Sequence, residues 1–314
     1  MSALAETAAF IFGLVALGYL AGLVGLLKGE SGDALADFAT TIALPVLLFR
    51  TLVTSDFGAI SPWSLWLTYF VAVAASWSLG QVVTARVFGR DRRASIIGGI
   101  ASGFSNLVLL GLPFMLGIFG AAGVSVLSLI VAVHLPVMLG VSVVLFAFAD
   151  KDGASTLGSE MLQFLKALAT NPLVIGIVLG LAWRFLGIAM PALGGRMVDT
   201  FAGVAGPLAL FSMGLGLRRF GITANFGPGL TLSLIKLVFM PAVALAVALL
   251  VGLSPLAAKV VVLAAAMPTG VNPFLFATRF GTGQALSSNA LTIGTLLAAL
   301  TTGAWLTVVD AVFG

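Results

Sequence analysis

The chain has 314 residues, 60% of them hydrophobic and only 8% charged, with a formal net charge of +4 and no cysteine. A soluble domain carries about 25% charged residues because its surface must meet water, so this composition excludes a water-soluble globule and selects the bilayer as solvent. The missing cysteines exclude disulfides, thiolate metal sites and cysteine nucleophiles. The basic excess, 15 Lys and Arg against 11 Asp and Glu, reads as membrane topology and not as nucleic-acid binding.

A spanning helix needs about 20 mostly apolar residues. The first such run is 5–27, and the N-terminal Met1–Glu6 holds no basic residue, so a membrane helix is expected there and not a signal peptide. Spans at 35–53, 61–84, 94–119 and 124–148 come next. No Asp, Glu, Lys or Arg occurs between Ala94 and Ala149, which leaves room for two crossings with a turn at Gly120-Ala121-Ala122-Gly123. The polar stretch Asp150–Glu160 is the linker, and Ser159 to Ala169 is expected to form a short interfacial helix. Spans at 168–187, 197–217, 229–252, 257–280 and 285–311 complete a set of ten.

Basic residues orient the spans. With the N-terminus outside, ten of them (Lys28, Arg86, Arg90, Arg92, Arg93, Lys151, Lys166, Arg218, Arg219 and Arg279) fall on the cytoplasmic side, against Arg50, Arg184, Arg196 and Lys259 outside. A multi-pass cell (inner) membrane protein with both termini outside is expected. Lys236 lies within a span; it either meets Asp199 or snorkels to the cytoplasmic interface.

The halves resemble each other. An offset of 162 aligns Asp37 with Asp199, Pro45 with Pro207, Leu48 with Leu210 and Phe49 with Phe211. Pro113-Phe114 pairs with Pro273-Phe274 at 160, and Phe119-Gly120 with Phe280-Gly281 at 161. Five helices per half make the second half inverted, a hallmark of secondary carriers. The expected organisation is a first repeat at 1–149, a linker at 150–160 and a second, inverted repeat at 161–314.

Helices four and nine carry matched interruptions: Gly103 to Asn106 with Gly111 and Pro113, and Met267-Pro268-Thr269-Gly270-Val271-Asn272-Pro273. Proline removes a backbone donor and clashes with the preceding turn. Glycine weakens a helix. Unpaired backbone at membrane depth is tolerated only in a cavity or against protein, so a matched pair of breaks points to a binding site near the midplane. The freed N–H groups and positive helix ends suit a carboxylate. Asn106 and Asn272 add neutral donors and acceptors. Pro45 and Pro207 either kink helices two and seven or help to line the site, with Phe49 and Ser212 as neighbours that either line or pack. His134, the only histidine, is either a coupling proton carrier or a neutral helix–helix contact. No acidic residue lies in either break. No phosphate loop, metal-binding His pair or catalytic triad is found, so no enzyme, metal or cofactor is expected.

These residues resemble the auxin efflux carrier family, which includes plant PIN-FORMED proteins and bacterial organic-acid permeases. The landmarks are Leu44–Phe49, Asn106-x4-Gly111-x-Pro113, Asn171-Pro172 followed by Gly180, and Met267–Pro273. The resemblance implies a ten-helix fold similar to that of bile-acid/sodium symporters, with crossing broken helices four and nine. It implies small organic anions as substrates: malate, malonate or auxins of the indole-3-acetate type. The connection at 150–160 is short, unlike the long central loop of the plant carriers. The expected protein is therefore a secondary transporter of small carboxylates that works by elevator-type alternating access. Asn106, Gly111, Pro113, Pro268, Thr269, Asn272 and Pro273 form its site, and H+ or Na+ is an unresolved coupling ion. An anion channel and a membrane ligand sensor are the alternatives. The bilayer and a small organic anion are the expected partners, with a homodimer left open.

Overall fold

A computed structural model describes residues 3–55, 61–149, 162, 165–166, 168–220 and 226–314. The expected linker at 150–160 and most of the interfacial helix at 159–169 lie outside them. Helix α1 is Ala3–Leu23; α2 is Gly29–Phe38, which runs through a π-turn at Ala39–Ala43 into α3, Leu44–Thr54. Helix α4 is Pro62–Arg86, α5 is Arg92–Gly103, and a π-turn at Leu107–Gly111 leads into α6, Leu112–Ala149. Then come α7 (Pro172–Leu186), α8 (Ala192–Gly216) and α9 (Phe226–Leu234), which continues through a π-turn at Ile235–Phe239 into α10 (Met240–Val251). Helices α11 (Pro255–Ala266), α12 (Asn272–Arg279) and α13 (Gln284–Phe313) complete the order.

The protein is an all-α polytopic membrane protein. Seven helical stretches among the described residues are long and apolar enough to cross a bilayer, and one of them, Arg92–Ala149 at 58 residues, is long enough to cross twice. The turn expected over Gly120–Gly123 is tighter than that: Gly120 alone leaves helical geometry, at φ 62° and ψ −151°, a conformation open to glycine because it has no Cβ. The helix that holds the second span begins at Gly29, ahead of the expected 35, and takes Glu30 and Asp33 into its first turns.

Each of the three π-turns ends two residues before a proline: Pro45, Pro113 and Pro241. The proline ring displaces the carbonyl four residues back and offers it no N–H, so the preceding turn widens. At Pro241 the stranded carbonyl belongs to Leu237, and the Trp305 indole N–H of α13 donates to it at 2.8 Å. A buried carbonyl left unmet at membrane depth would be costly.

The described helices form two compact units, and both halves of the sequence contribute to each. In the first, comprising residues 1–60, 107–132 and 166–219, α1 crosses α8 at backbone contact. A Cβ on Gly18 would stand 2.0 Å from the Phe211 carbonyl oxygen, and one on Gly214 would stand 1.9 Å from that of Val15. This is small-residue helix packing of the kind lipid-embedded helices use, where close van der Waals contact replaces the hydrophobic drive. Helix α7 approaches α3 in the same way through Gly176 and Gly180. Arg50 pairs with Asp199 at 2.6 Å, both half exposed, so of the two alternatives for Lys236 the one with Asp199 gives way to a pair within this unit.

The second unit, comprising 61–106, 133–165 and 220–314, is built around α11. From Ala257 to Ala266 this helix is buried at nearly every position, with only Lys259 part-exposed. Helix α4 packs on α5 through Gly80, Gly98 and Gly99, which admit Ser102, Thr84 and Trp77. At the end of α12, Phe280 stacks on Phe146 with ring centroids 3.8 Å apart, and its carbonyl accepts from the Arg93 guanidinium at 3.0 Å.

Candidate functional site: the paired helix breaks

The second unit holds the Gly103–Asn106 part of the first interruption beside the whole of the second, Met267–Pro273. Helix α5 is started by Asp91, whose carboxylate accepts the Ala94 N–H at 2.8 Å, and stops at Gly103. Phe104 turns extended, at φ −81° and ψ 121°. Helix α11 stops at Ala266, and Met267 turns extended in the same way, at φ −63° and ψ 140°. Across the gap the Asn106 N–H donates to the Pro268 carbonyl at 2.8 Å. Gly270 also lies beside Asn106: a Cβ added to it would meet Asn106 in ordinary contact at 3.6 Å.

This bridge satisfies one donor and one acceptor and leaves others open. Among the described residues, the backbone N–H groups of Gly270, Val271 and Asn272 have no partner. Helix α12 begins at Asn272 with Pro273 in its first turn and no side-chain cap. The Thr269 hydroxyl is 2% exposed and unpaired. Buried polar groups are nearly always satisfied, so a hydroxyl and several amides left open beside a helix N-terminus form a set of donors suited to an anion. No side chain in either break carries a charge, so recognition there rests on neutral donors and helix dipoles.

Of the other expected site residues, Gly111 and Pro113 lie in the first unit, both buried. Pro113 packs against Gly206 of α8. Phe49 sits edge-on to Trp183 of α7 with centroids 6.1 Å apart. Ser212 is buried, and its hydroxyl donates to the Ala209 carbonyl of its own helix at 3.0 Å. Pro207 continues inside α8 without a π-turn.

His134 is buried on α6 in the second unit. Its Nδ1 stands 3.3 Å from the Tyr69 hydroxyl, and its ring meets Phe104 edge-on at 4.7 Å. Phe104 is the first residue of the break, so His134 is attached to the site's edge. Two features escape sequence reasoning. One is Tyr69, which carried no signal beyond being a polar-tipped aromatic in a span. The other is the seat of Lys236: 1% exposed, it donates to the Ala265 carbonyl at 2.5 Å and does not snorkel. A charge in the middle of an apolar run was the signal; its partner was not legible. A cavity of about 470 Å³ also lies between α4 and α6, but Phe70, Trp77, Met138, Val141 and Leu145 make its wall largely apolar, which suits an alkyl chain better than an anion.

Residues 3–306 match the model of a family described as membrane transport protein. The chain belongs to this membrane transport protein family. That is the auxin efflux carrier family its motifs resemble, a family of membrane transport proteins. It is 26% identical over 215 residues to an uncharacterized transporter of Methanothermobacter thermautotrophicus, covering 68% of each chain. It is 26% identical over 214 residues to a putative malonate transporter of Rhizobium meliloti, covering 66% of this chain and 64% of that one. It is also 27% identical over 215 residues to the mouse lysosomal cholesterol signaling protein, covering 65% of this chain but only 24% of that protein. The match therefore spans about a quarter of the mouse relative and about two thirds of the two prokaryotic ones.

Proposed function

We propose that this transporter is a secondary carrier of small carboxylates, with malonate as the first candidate, working by elevator-type alternating access. The Asn106–Pro268 bridge carries this reading, because it holds two interrupted helices together beside the open donors of Thr269 to Asn272. A carboxylate desolvated at membrane depth needs several such donors, and half-helix N-termini at paired breaks supply them in carriers. The name of the Rhizobium relative points to the same substrate class.

In this reading residues 1–149 and 161–314 are inverted five-helix repeats that cross the membrane ten times, with both termini outside the cytoplasm of a cell-membrane protein. Asn106, Thr269 and Asn272 contact the carboxylate. Gly111, Pro113, Pro268 and Pro273 keep backbone donors out of helical pairing, and Phe49 and Ser212 are further candidates for substrate contact. His134 is the candidate for a coupled proton.

The test is uptake into proteoliposomes of radiolabelled mono- and dicarboxylates, with pH and Na+ varied independently. Saturable uptake with counterflow of malonate or a related acid is the expected result. Flux without saturation or counterflow would support a channel. Binding without flux would support a ligand sensor, a reading that the name of the mouse relative keeps in view.

A further inference from the structure

Lys236 sits near the middle of the stretch 226–251, in the π-turn Ile235–Phe239, and is 1% exposed. Among the described residues no carboxylate stands within ion-pair distance of it; the acids Asp199 and Asp310 pair with Arg50 and Lys259 instead. Its ammonium is placed on a backbone oxygen, the Ala265 carbonyl, at 2.5 Å. Ala265 is the penultimate residue of α11. Its carbonyl therefore belongs to the last turn, which has no helical partner and carries the negative end of the helix dipole.

A lone ammonium in a membrane interior is expensive, and a helix end returns only part of that cost. A residue kept at such a cost marks function by default. Its position specifies the function. The segment that begins at the lysine's carbonyl partner runs through Met267 to Pro268, which holds Asn106, and on to the open donors of Thr269 to Asn272. His134 and Tyr69, joined at 3.3 Å, are buried ionisable groups of the same unit. Carriers with discontinuous helices hold coupling metal cations on the unwound carbonyls and C-terminal ends of half-helices.

We infer that Lys236 is a tethered cation, seated on the half-helix carbonyl where a coupling Na+ would otherwise bind, and that it supplies the positive charge balancing the transported anion. Because the ammonium is covalently held, anion binding requires no Na+. The inference rests on the carboxylate-carrier reading above and deepens it.

The test uses the full chain, with malonate as probe, measuring uptake in proteoliposomes and binding by calorimetry. Uptake by the unaltered protein is expected to be unchanged when Na+ is replaced by choline. Lys236→Met keeps the stem and removes the charge. It is expected to keep or raise thermal stability, since exchanging a buried charge for an apolar side chain of similar volume is often neutral or stabilising, and to weaken malonate binding about tenfold or more. In Lys236→Ala, propylammonium but not propanol is expected to restore binding, which a purely structural lysine would not produce. Wild-type affinity in Lys236→Met, failure of that variant to fold, or a Na+ requirement in the unaltered protein each overturns the inference and leaves the carrier reading standing. If the unaltered protein neither binds nor takes up any carboxylate, the carrier reading fails and the inference falls with it.

Discussion

The Asn106 N–H meets the Pro268 carbonyl at 2.8 Å, joining residues that lie 162 positions apart in two separately interrupted helices. Each chain break would leave unpaired backbone in an apolar medium. Together they settle one pair of groups and leave neighbouring donors free. Asn106→Ala keeps this main-chain bridge and removes only the side-chain amide. Asn106→Ala, Thr269→Ala and Asn272→Ala are each expected to weaken malonate binding by about 1–3 kcal/mol, the range for an unmet buried polar group, without loss of fold. Pro268→Ala and Pro113→Ala are expected to abolish transport by letting helix rewind. Calorimetry on purified protein checks the first set and proteoliposome uptake the second; wild-type affinity in all of these variants would place the substrate elsewhere.

His134 touches both Tyr69 and the first residue of the α5 break. With His134 as the proton carrier, His134→Gln is expected to abolish accumulation driven by a pH gradient while exchange of internal for external substrate continues. Glutamine can still accept from Tyr69, so packing is retained. Accumulation that persists in the variant would assign His134 to the packing of α6 on α4.

Gly214 and Gly203 lie on the same helix, yet only Gly214 faces the α1 backbone. Gly214→Ala is expected to lower stability by roughly 1–3 kcal/mol, the usual cost of overpacking, because the obstructing atom is a carbonyl oxygen that cannot rotate away. Gly203→Ala has open space and is expected to be neutral or slightly stabilising through helix propensity. Thermal unfolding in one detergent compares them.

Trp305 and Pro241 form a compensating pair, since the indole occupies the carbonyl that the proline leaves unmet. Trp305→Phe is expected to destabilise by about 1–3 kcal/mol. Adding Pro241→Ala restores a backbone N–H for Leu237 and is expected to recover part of that loss. A double-mutant cycle measures the coupling; purely additive effects would show that the indole bond does not depend on the proline.

Orientation is open to labelling. A cysteine introduced at Gly314 is expected to react with an impermeant thiol reagent in intact cells, and one at Gly89, between Arg86 and Arg90, to be protected. The same reactivity is expected at Ser2, which lies outside the described residues. The reverse pattern would invert the topology.

The sequence by itself determined the solvent, the helical class and the places where helices fail. Sixty per cent hydrophobic residues leave the bilayer as the only medium, and there the backbone must pair within each helix. Pro113, Pro268 and Pro273, with their glycine neighbours, therefore announce interruptions through local chemistry alone. Tertiary structure alone decided which groups meet at those interruptions. Nothing in the residue pattern pairs Asn106 with Pro268, assigns Asp199 to Arg50 and not to Lys236, or sets the Lys236 ammonium on Ala265. A break is a local property of the chain, whereas a partner is fixed by how helices cross. In this protein, glycines such as Gly18 and Gly214 let two helices close to backbone contact, and what lines up along the crossing follows from that approach.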